Sequence, residues 1–209
     1  MRKKPLAVAA LVAAGTLTLA GCGGSDNSTH DMSGMTSSTQ SPTPSASATK
    51  MSDFNDADVT FATDMIPHHR QAVEMAKLAE TRAKSAKVKD LALKIMRAQD
   101  PEIQTMSGWL TAWGKPVPSA SSSMGGMDMG GASAMPGMMS SADMAKLKNA
   151  SGAAFDQMFL TMMIGHHNGA IEMAKTEQTN GKNAEAIALA QRIEQAQTNE
   201  ITTMRGLLK

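Results

Sequence analysis

The sequence is poor in aromatic residues and in cysteine. Its 209 residues include no tyrosine, four phenylalanines, two tryptophans and one cysteine. A core with so few rings must be filled by Leu, Ile, Ala and the flexible side chain of Met, which occurs 20 times. The single cysteine excludes an internal disulfide. The formal net charge is +1, and no basic stripe with interleaved aromatic residues is present, so no nucleic-acid partner is expected.

Residues 1–21 have the pattern of a signal peptide. Three basic residues precede an apolar run, residues 6–19, that is short for a membrane span. The run leads into Leu-Ala-Gly-Cys, which resembles a bacterial lipobox and predicts cleavage before Cys22, with lipid on its thiol and new amino group. Two or more acyl chains hold a protein stably on a membrane, so we expect a lipid anchor on the extracytoplasmic face of the cell membrane. The alternative is an ordinary secreted protein with a coincidental Cys22.

Two further segments are of low complexity. Residues 22–51 are mainly Gly, Ser, Thr and Pro, which predicts a disordered tether. Residues 114–140 form a Gly/Ser linker that is dense in methionine. A buried Met needs packed surroundings, which Gly-Gly-Met-Asp-Met-Gly-Gly does not offer, whereas exposed thioether sulfur is a soft ligand suited to Cu(I) or Ag(I). Low-complexity drift is the alternative explanation. The candidate loop ligands are Met124, Met127, Met129, Met135, Met138 and Met139.

The rest of the chain has helical patterns and no stretch that alternates with a period of two, so an all-α protein is expected. Ser85 is a candidate cap for the second helix. Helices are predicted near 55–84, 85–113, 142–149, 153–179 and 183–208.

The helical part is a tandem repeat. Residues 58–110 align with residues 156–208 at a constant offset of 98, without a gap, and 26 of the 53 positions are identical. This indicates two copies of one helical hairpin. Two hairpins joined by one long connection predict a four-helix bundle over residues 53–209, with repeat 1 at 55–113 and repeat 2 at 141–209.

One five-residue motif occurs in both repeats. Residues 65–69 read Met-Ile-Pro-His-His and residues 163–167 read Met-Ile-Gly-His-His, so together they hold four of the five histidines. Helical spacing puts polar residues on the stripe that should be apolar, where an unpartnered polar group costs about 1–3 kcal/mol. Chain reversal in each hairpin brings the histidines level with a Glu and a Met of the returning helix. The candidate metal ligands are Met65, His68, His69, Met75, Glu102 and Met106 in repeat 1, and Met163, His166, His167, Met173, Glu200 and Met204 in repeat 2.

These side chains favour copper. Imidazole, thioether and an occasional carboxylate suit Cu(I) held by Met and His, or Cu(II) held by His and Glu, with silver as a mimic of Cu(I). Zinc is less favoured, because no thiolate and no cluster of three nitrogens is evident. A di-iron bundle would need two Glu-x-x-His motifs, and none occurs. Whether the hairpins make two sites or one shared site stays open.

The motifs also resemble a known family. Met-Ile-Pro-His-His followed by Ala-Val-Glu-Met-Ala, and later Gln-Asp-Pro-Glu-Ile-Gln-Thr-Met with Trp-Leu, are similar to a bacterial family of extracytoplasmic proteins that includes the copper-binding CopM protein. The resemblance covers about residues 53–209. It implies a ferritin-like four-helix bundle with a role in copper binding or tolerance. The family motif more usually has Pro at the place of Gly165.

The sequence therefore supports one hypothesis and two alternatives. The first is a membrane-tethered, non-enzymatic lipoprotein that sequesters copper or passes it to a partner protein. The second is a ferritin-like, metal-dependent oxidoreductase with a dinuclear centre in the bundle. The third is a non-catalytic interaction module whose buried polar groups hydrogen-bond one another.

Overall fold

The computed structural model describes residues 53–119 and 135–209, and in these ranges the regular structure is helical. The helices are α1 (Asp56–Arg82), α2 (Ala86–Ala112), α3 (Ser141–Asn149), α4 (Gly152–Asn180) and α5 (Ala184–Leu207). The predicted all-α helical bundle is confirmed, and four of the helices are long. The proposed signal peptide, lipidated Cys22 and tether lie outside the described residues, as do Met124, Met127 and Met129.

Side-chain caps set the starts of α1 and α5, as well as that of α3. The Asn55 side chain accepts the backbone N–H groups of Ala57 and Asp58 at 3.0 and 3.1 Å. The Asp58 carboxylate in turn accepts the Asn55 N–H at 2.6 Å, which completes a capping box. At the start of α5, Asn183 accepts the N–H groups of residues 185 and 186. Helices α1 and α5 therefore begin within one or two residues of the predicted positions.

Ser85 is the N-cap residue of α2, as predicted, but the side-chain cap expected of it is absent. An aspartate of the other hairpin instead binds the backbone of the turn just before α2, since Asp156 Oδ2 accepts the Ser85 N–H at 2.9 Å. The repeat-equivalent residue Asp58 does the same for the other turn, because its Oδ1 accepts the Asn183 N–H at 2.8 Å. Each hairpin thus caps the turn of the other.

These contacts fix α1 and α4 as antiparallel neighbours. The start of each lies at the end of the other, and the two helices pack together along their length. The most extensive packing is within the two hairpins, between α1 and α2 and between α4 and α5. Within the described residues, none of the helices has the length and hydropathy of a membrane-spanning segment.

The apolar core divides into two clusters, with the middle of α1 and α4 between them. The first cluster lies toward the start of α1 and includes Phe61, Met65, Ile66, Met106, Trp109, Leu110, Ala170 and Ile193. The second lies toward the end of α1 and includes Met75, Ile95, Leu147, Phe155, Phe159, Met163 and Met204. Methionine is prominent in both, as the shortage of aromatic residues predicts.

Candidate metal centre

The four motif histidines lie inside the bundle, where α1 crosses α4. The exposed fraction is 1% for His166 and 0% for His68, His69 and His167. The rings of His68 and His166 face each other, with their centroids 3.7 Å apart and their planes inclined at 39°. The two copies of the motif therefore meet at one place in the fold.

A carboxylate from the returning helix holds one histidine of each motif. His69 Nε2 lies 2.8 Å from Glu102 Oε2, and His167 Nε2 lies 2.7 Å from Glu200 Oε2. An ionised carboxylate only accepts hydrogen bonds, so Nε2 carries the proton and donates it. In the neutral ring Nδ1 then has a free lone pair. Glu102 and Glu200 thus fix the orientation and tautomer of two buried imidazoles.

A backbone carbonyl holds the third histidine. His68 Nε2 lies 3.0 Å from the oxygen of Pro136, which can only accept, so His68 also has its proton on Nε2. Burial, and to a lesser extent the nearby His69, lowers the pKa of His68 to about 3. Burial, and to a lesser extent the nearby His68, lowers the pKa of His166 well below its ordinary value. Both facing rings are therefore neutral at pH 7, the form in which imidazole binds metal.

The other ring nitrogens have no hydrogen-bond partner within the described protein. They are Nδ1 of His68, His69 and His167, and both nitrogens of His166. Leaving a buried polar atom unpaired costs about 1–3 kcal/mol, and such atoms are few in native proteins. A group of them on facing helices needs a common explanation, and a bound cation that accepts their lone pairs provides one.

In the structure, the candidate methionine ligands are not grouped by the repeat to which they belong. Met65 and Met106 lie in the first core cluster, and partly buried Met173 packs against this cluster. Met163 and Met204 lie in the second cluster with Met75. The antiparallel crossing of α1 and α4 thus exchanges Met75 and Met173 between the two halves. Each cluster joins methionines of both hairpins on one side of the histidines.

Part of the methionine-rich linker lies against the same helices. The side-chain amide of Gln71 donates to the Met139 carbonyl at 2.9 Å, and its oxygen accepts the Met139 N–H at 2.7 Å. Met139 also packs against the second core cluster. Of the six loop methionines, Met135, Met138 and Met139 fall within the described residues. The sequence analysis did not identify Gln71 or the Pro136 carbonyl. The available signal was that Gln71 aligns with a glycine, Gly169, in the other repeat.

Oxygen and nitrogen ligands alone do not form a metal site here. In residues 53–119 and 135–209, no three His, Cys, Asp or Glu side chains are arranged to hold a metal ion. The residues present are buried imidazoles with a methionine-containing core cluster on either side, a donor set that fits a soft cation with few nitrogen ligands. The carboxylates of Glu102 and Glu200 are hydrogen-bonded to imidazole in this structure.

Comparison with known proteins identifies the family. The sequence profile described as "Domain of unknown function (DUF305)" matches residues 58–208. The chain belongs to the DUF305 family. A search of curated proteins found no match.

Solved DUF305 structures share the fold. A DUF305 protein of Streptomyces coelicolor described as secreted is 36% identical, with a TM-score of 0.64 over 73% of this chain and 91% of that chain. A DUF305 fragment from Deinococcus radiodurans is 30% identical, with a TM-score of 0.62 over 74% and 96%. CopM in its Cu(II)-bound form is 34% identical, with a TM-score of 0.61 over 72% and 95%. CopM has also been solved bound to Cu(I) and to silver.

Proposed function

We propose that this DUF305 protein binds copper inside its helical bundle, through the histidines where α1 crosses α4. The observation that carries the proposal is the set of buried imidazole nitrogens without hydrogen-bond partners, in rings whose other nitrogen is held by Glu102, Glu200 or the Pro136 carbonyl. A histidine that ligates a metal commonly donates its other N–H to such an acceptor. The structures of CopM with Cu(II), Cu(I) and silver support the choice of metal.

The donor set favours Cu(I), the softer of the two copper ions. Thioether sulfur and neutral imidazole are ligands that Cu(I) and Ag(I) accept, whereas carboxylate and water suit harder ions. The two carboxylates then act as positioning groups for His69 and His167. The thioether ligands in this proposal are Met65, Met75, Met106, Met163, Met173 and Met204.

The proposed setting is the extracytoplasmic face of the cell membrane. The signal peptide and the lipid on Cys22 are inferred from sequence, and the secreted description of the Streptomyces coelicolor relative agrees with export. There the protein would sequester copper for tolerance or transfer it to a protein partner, with the methionine-rich linker as a capture arm. Copper is cargo in this proposal and takes part in no reaction of the protein.

The experiment is a Cu(I) titration of the full chain against a chromophoric Cu(I) chelator. We expect a variant with Ala at His68, His69, His166 and His167 to lose at least one equivalent of bound copper. The control is His30→Ala, which changes the fifth histidine and leaves the bundle intact. Unchanged stoichiometry and affinity in the fourfold variant would reject these histidines as ligands.

Two further measurements test the alternative functions. Oxygen consumption or substrate turnover by the copper-loaded protein would favour the oxidoreductase. Identical thermal stability with and without Cu(I) would favour the interaction module, because a ligand that binds only the native state must raise its stability.

A further inference from the structure

We propose that residues 135–139, here named the strap, close the pair of rings formed by His68 and His166, and that the strap must lift before a metal ion reaches that pair. Gln71 and Gly169 are the positioning residues that dock it. The inference rests on the proposed copper function for its metal part. Its structural part stands on the contacts of the strap alone.

Three hydrogen bonds attach the strap to α1. The Pro136 carbonyl oxygen accepts the Nε2–H of His68 at 3.0 Å. The Gln71 side chain pairs with the backbone of Met139 in both directions, at 2.9 and 2.7 Å, as a neighbouring strand would. The strap therefore runs from one ring of the histidine pair to a residue one turn further along α1.

Two glycines allow the backbone of the strap to lie directly on α4. A Cβ added to Gly169 would overlap the carbonyl group of Pro136. A Cβ added to Gly137 would lie 2.7 Å from the oxygen of Gly165 and 3.0 Å from that of His166. Gly137 also has a φ of +75°, which L side chains rarely adopt. The fit between strap and helix thus depends on the absence of side chains on both surfaces.

The repeat shows that these two docking positions differ from each other. Gln71 and Gly169 are equivalent in the two hairpins, at the constant offset of 98 residues. Gln71 supplies the amide that pairs with Met139, and Gly169 leaves the space that the Pro136 carbonyl occupies. Both residues therefore contribute to docking the same strap. A symmetric bundle would have presented either two amides or two open surfaces.

The strap explains why the facing rings are shielded from solvent. His68 and His166 are 0% and 1% exposed, and the strap bonds one ring and lies against the backbone of the other. Because a metal ion has to replace its water with protein ligands, it needs a path to those rings. Release of the strap opens the path and also frees His68 Nε2.

The test uses the full chain with Gly169→Ala, which pushes the strap away, and Gln71→Ala, which removes both amide bonds and adds no atoms. The matched control is Gly108→Ala in α2, where an added Cβ meets nothing within 4 Å. Gln71→Glu is the conservative variant, since it keeps the acceptor for the Met139 N–H and loses the donor. If Gly169→Ala does not fold, Gln71→Ala and Gln71→Glu decide the question.

Two readouts on the metal-free protein test the closure. Hydrogen exchange of the Met139 amide and diethyl pyrocarbonate modification of the peptides that contain His68 and His166 should both be faster, by about tenfold, in Gly169→Ala and Gln71→Ala. Gln71→Glu should fall between these variants and the wild type. Exchange and modification rates equal to those of the Gly108→Ala control would overturn the proposal.

A third readout tests the metal part. Transfer of Cu(I) from a chromophoric chelator should be several-fold faster in the two opened variants, with unchanged final stoichiometry. Faster histidine modification with an unchanged transfer rate would overturn the gating of metal access. Faster modification in a chain that takes up no copper at all would keep the strap as a cover and reject the proposed function instead.

Discussion

His69 Nε2 donates to Glu102 Oε2 at 2.8 Å, and this bond fixes which ring nitrogen faces the interior. Replacing the carboxylate with an amide keeps its size but allows the wrong tautomer. We therefore expect Glu102→Gln to weaken Cu(I) affinity by about 10–100-fold, the usual cost of losing a group that orients a ligand. Chelator competition measures the affinity. Glu200→Gln should act alike, and Glu80→Gln, on the exposed side of α1, is the control.

A second prediction concerns stabilisation by silver. Ag(I) at about 100 times its dissociation constant should add about 2.7 kcal/mol to the free energy of unfolding. For a domain of this size, that corresponds to a rise in Tm of about 5–10 °C. Differential scanning fluorimetry should show the rise in the wild type and in His30→Ala. A comparable rise in the variant with all four motif histidines replaced by Ala would place the silver elsewhere.

A third prediction concerns the buried acid Glu177. This side chain is 1% exposed, and burial, aided by the nearby carboxylate of Asp58, raises the pKa of Glu177 to about 8 from an ordinary value of 4.5. The folded protein holds this proton more tightly than the unfolded chain does. The stability that results is complete below about pH 4.5 and is lost as the pH rises through 8.

Urea denaturation across the pH range checks this sign. Each pKa unit is worth about 1.4 kcal/mol, so the wild type should lose about 2–4 kcal/mol between pH 5 and pH 9 relative to Glu177→Gln. Glu80→Gln is a suitable control, because Glu80 is exposed and its repeat counterpart is the glutamine Gln178. Parallel stability curves for wild type and Glu177→Gln would show that Glu177 titrates normally.

A fourth prediction concerns the cap that one hairpin places on the other. Asp156→Ala should leave the N–H groups of Lys84 and Ser85 without their acceptor, now bonded at 3.0 and 2.9 Å. We expect a loss of about 1–3 kcal/mol in the free energy of unfolding. Asp90→Ala, at an exposed position of α2, should change stability far less. An equal effect of the two substitutions would contradict the capping role.

Sequence predicted the features that arise from local pattern and from the repeat. The hairpins and the inward position of His68 and His166 followed from helical periodicity and from the gap-free alignment. Counting residues back from the turn of each hairpin also predicted that Glu102 and Glu200 lie close to the motif histidines. Each of these inferences needs only the rise and twist of a helix.

The features that sequence did not reveal depend on contacts between distant segments. The carboxylate that binds the Ser85 N–H belongs to Asp156, which no local rule could select. The exchange of Met75 and Met173 between the two halves requires the crossing direction of α1 and α4. The docking of Met139 on Gln71 joins a helix to a linker whose composition carries no periodic signal.

The reciprocal capping by Asp58 and Asp156 has a consequence for the origin of the chain. A lone hairpin would leave its own turn open, because the carboxylate that closes it belongs to the opposite copy. Two identical hairpins could satisfy each other only as a twofold-symmetric dimer. The tandem polypeptide has the geometry of such a dimer within one molecule, and because its two copies are separate stretches of sequence, Gln71 and Gly169 can differ.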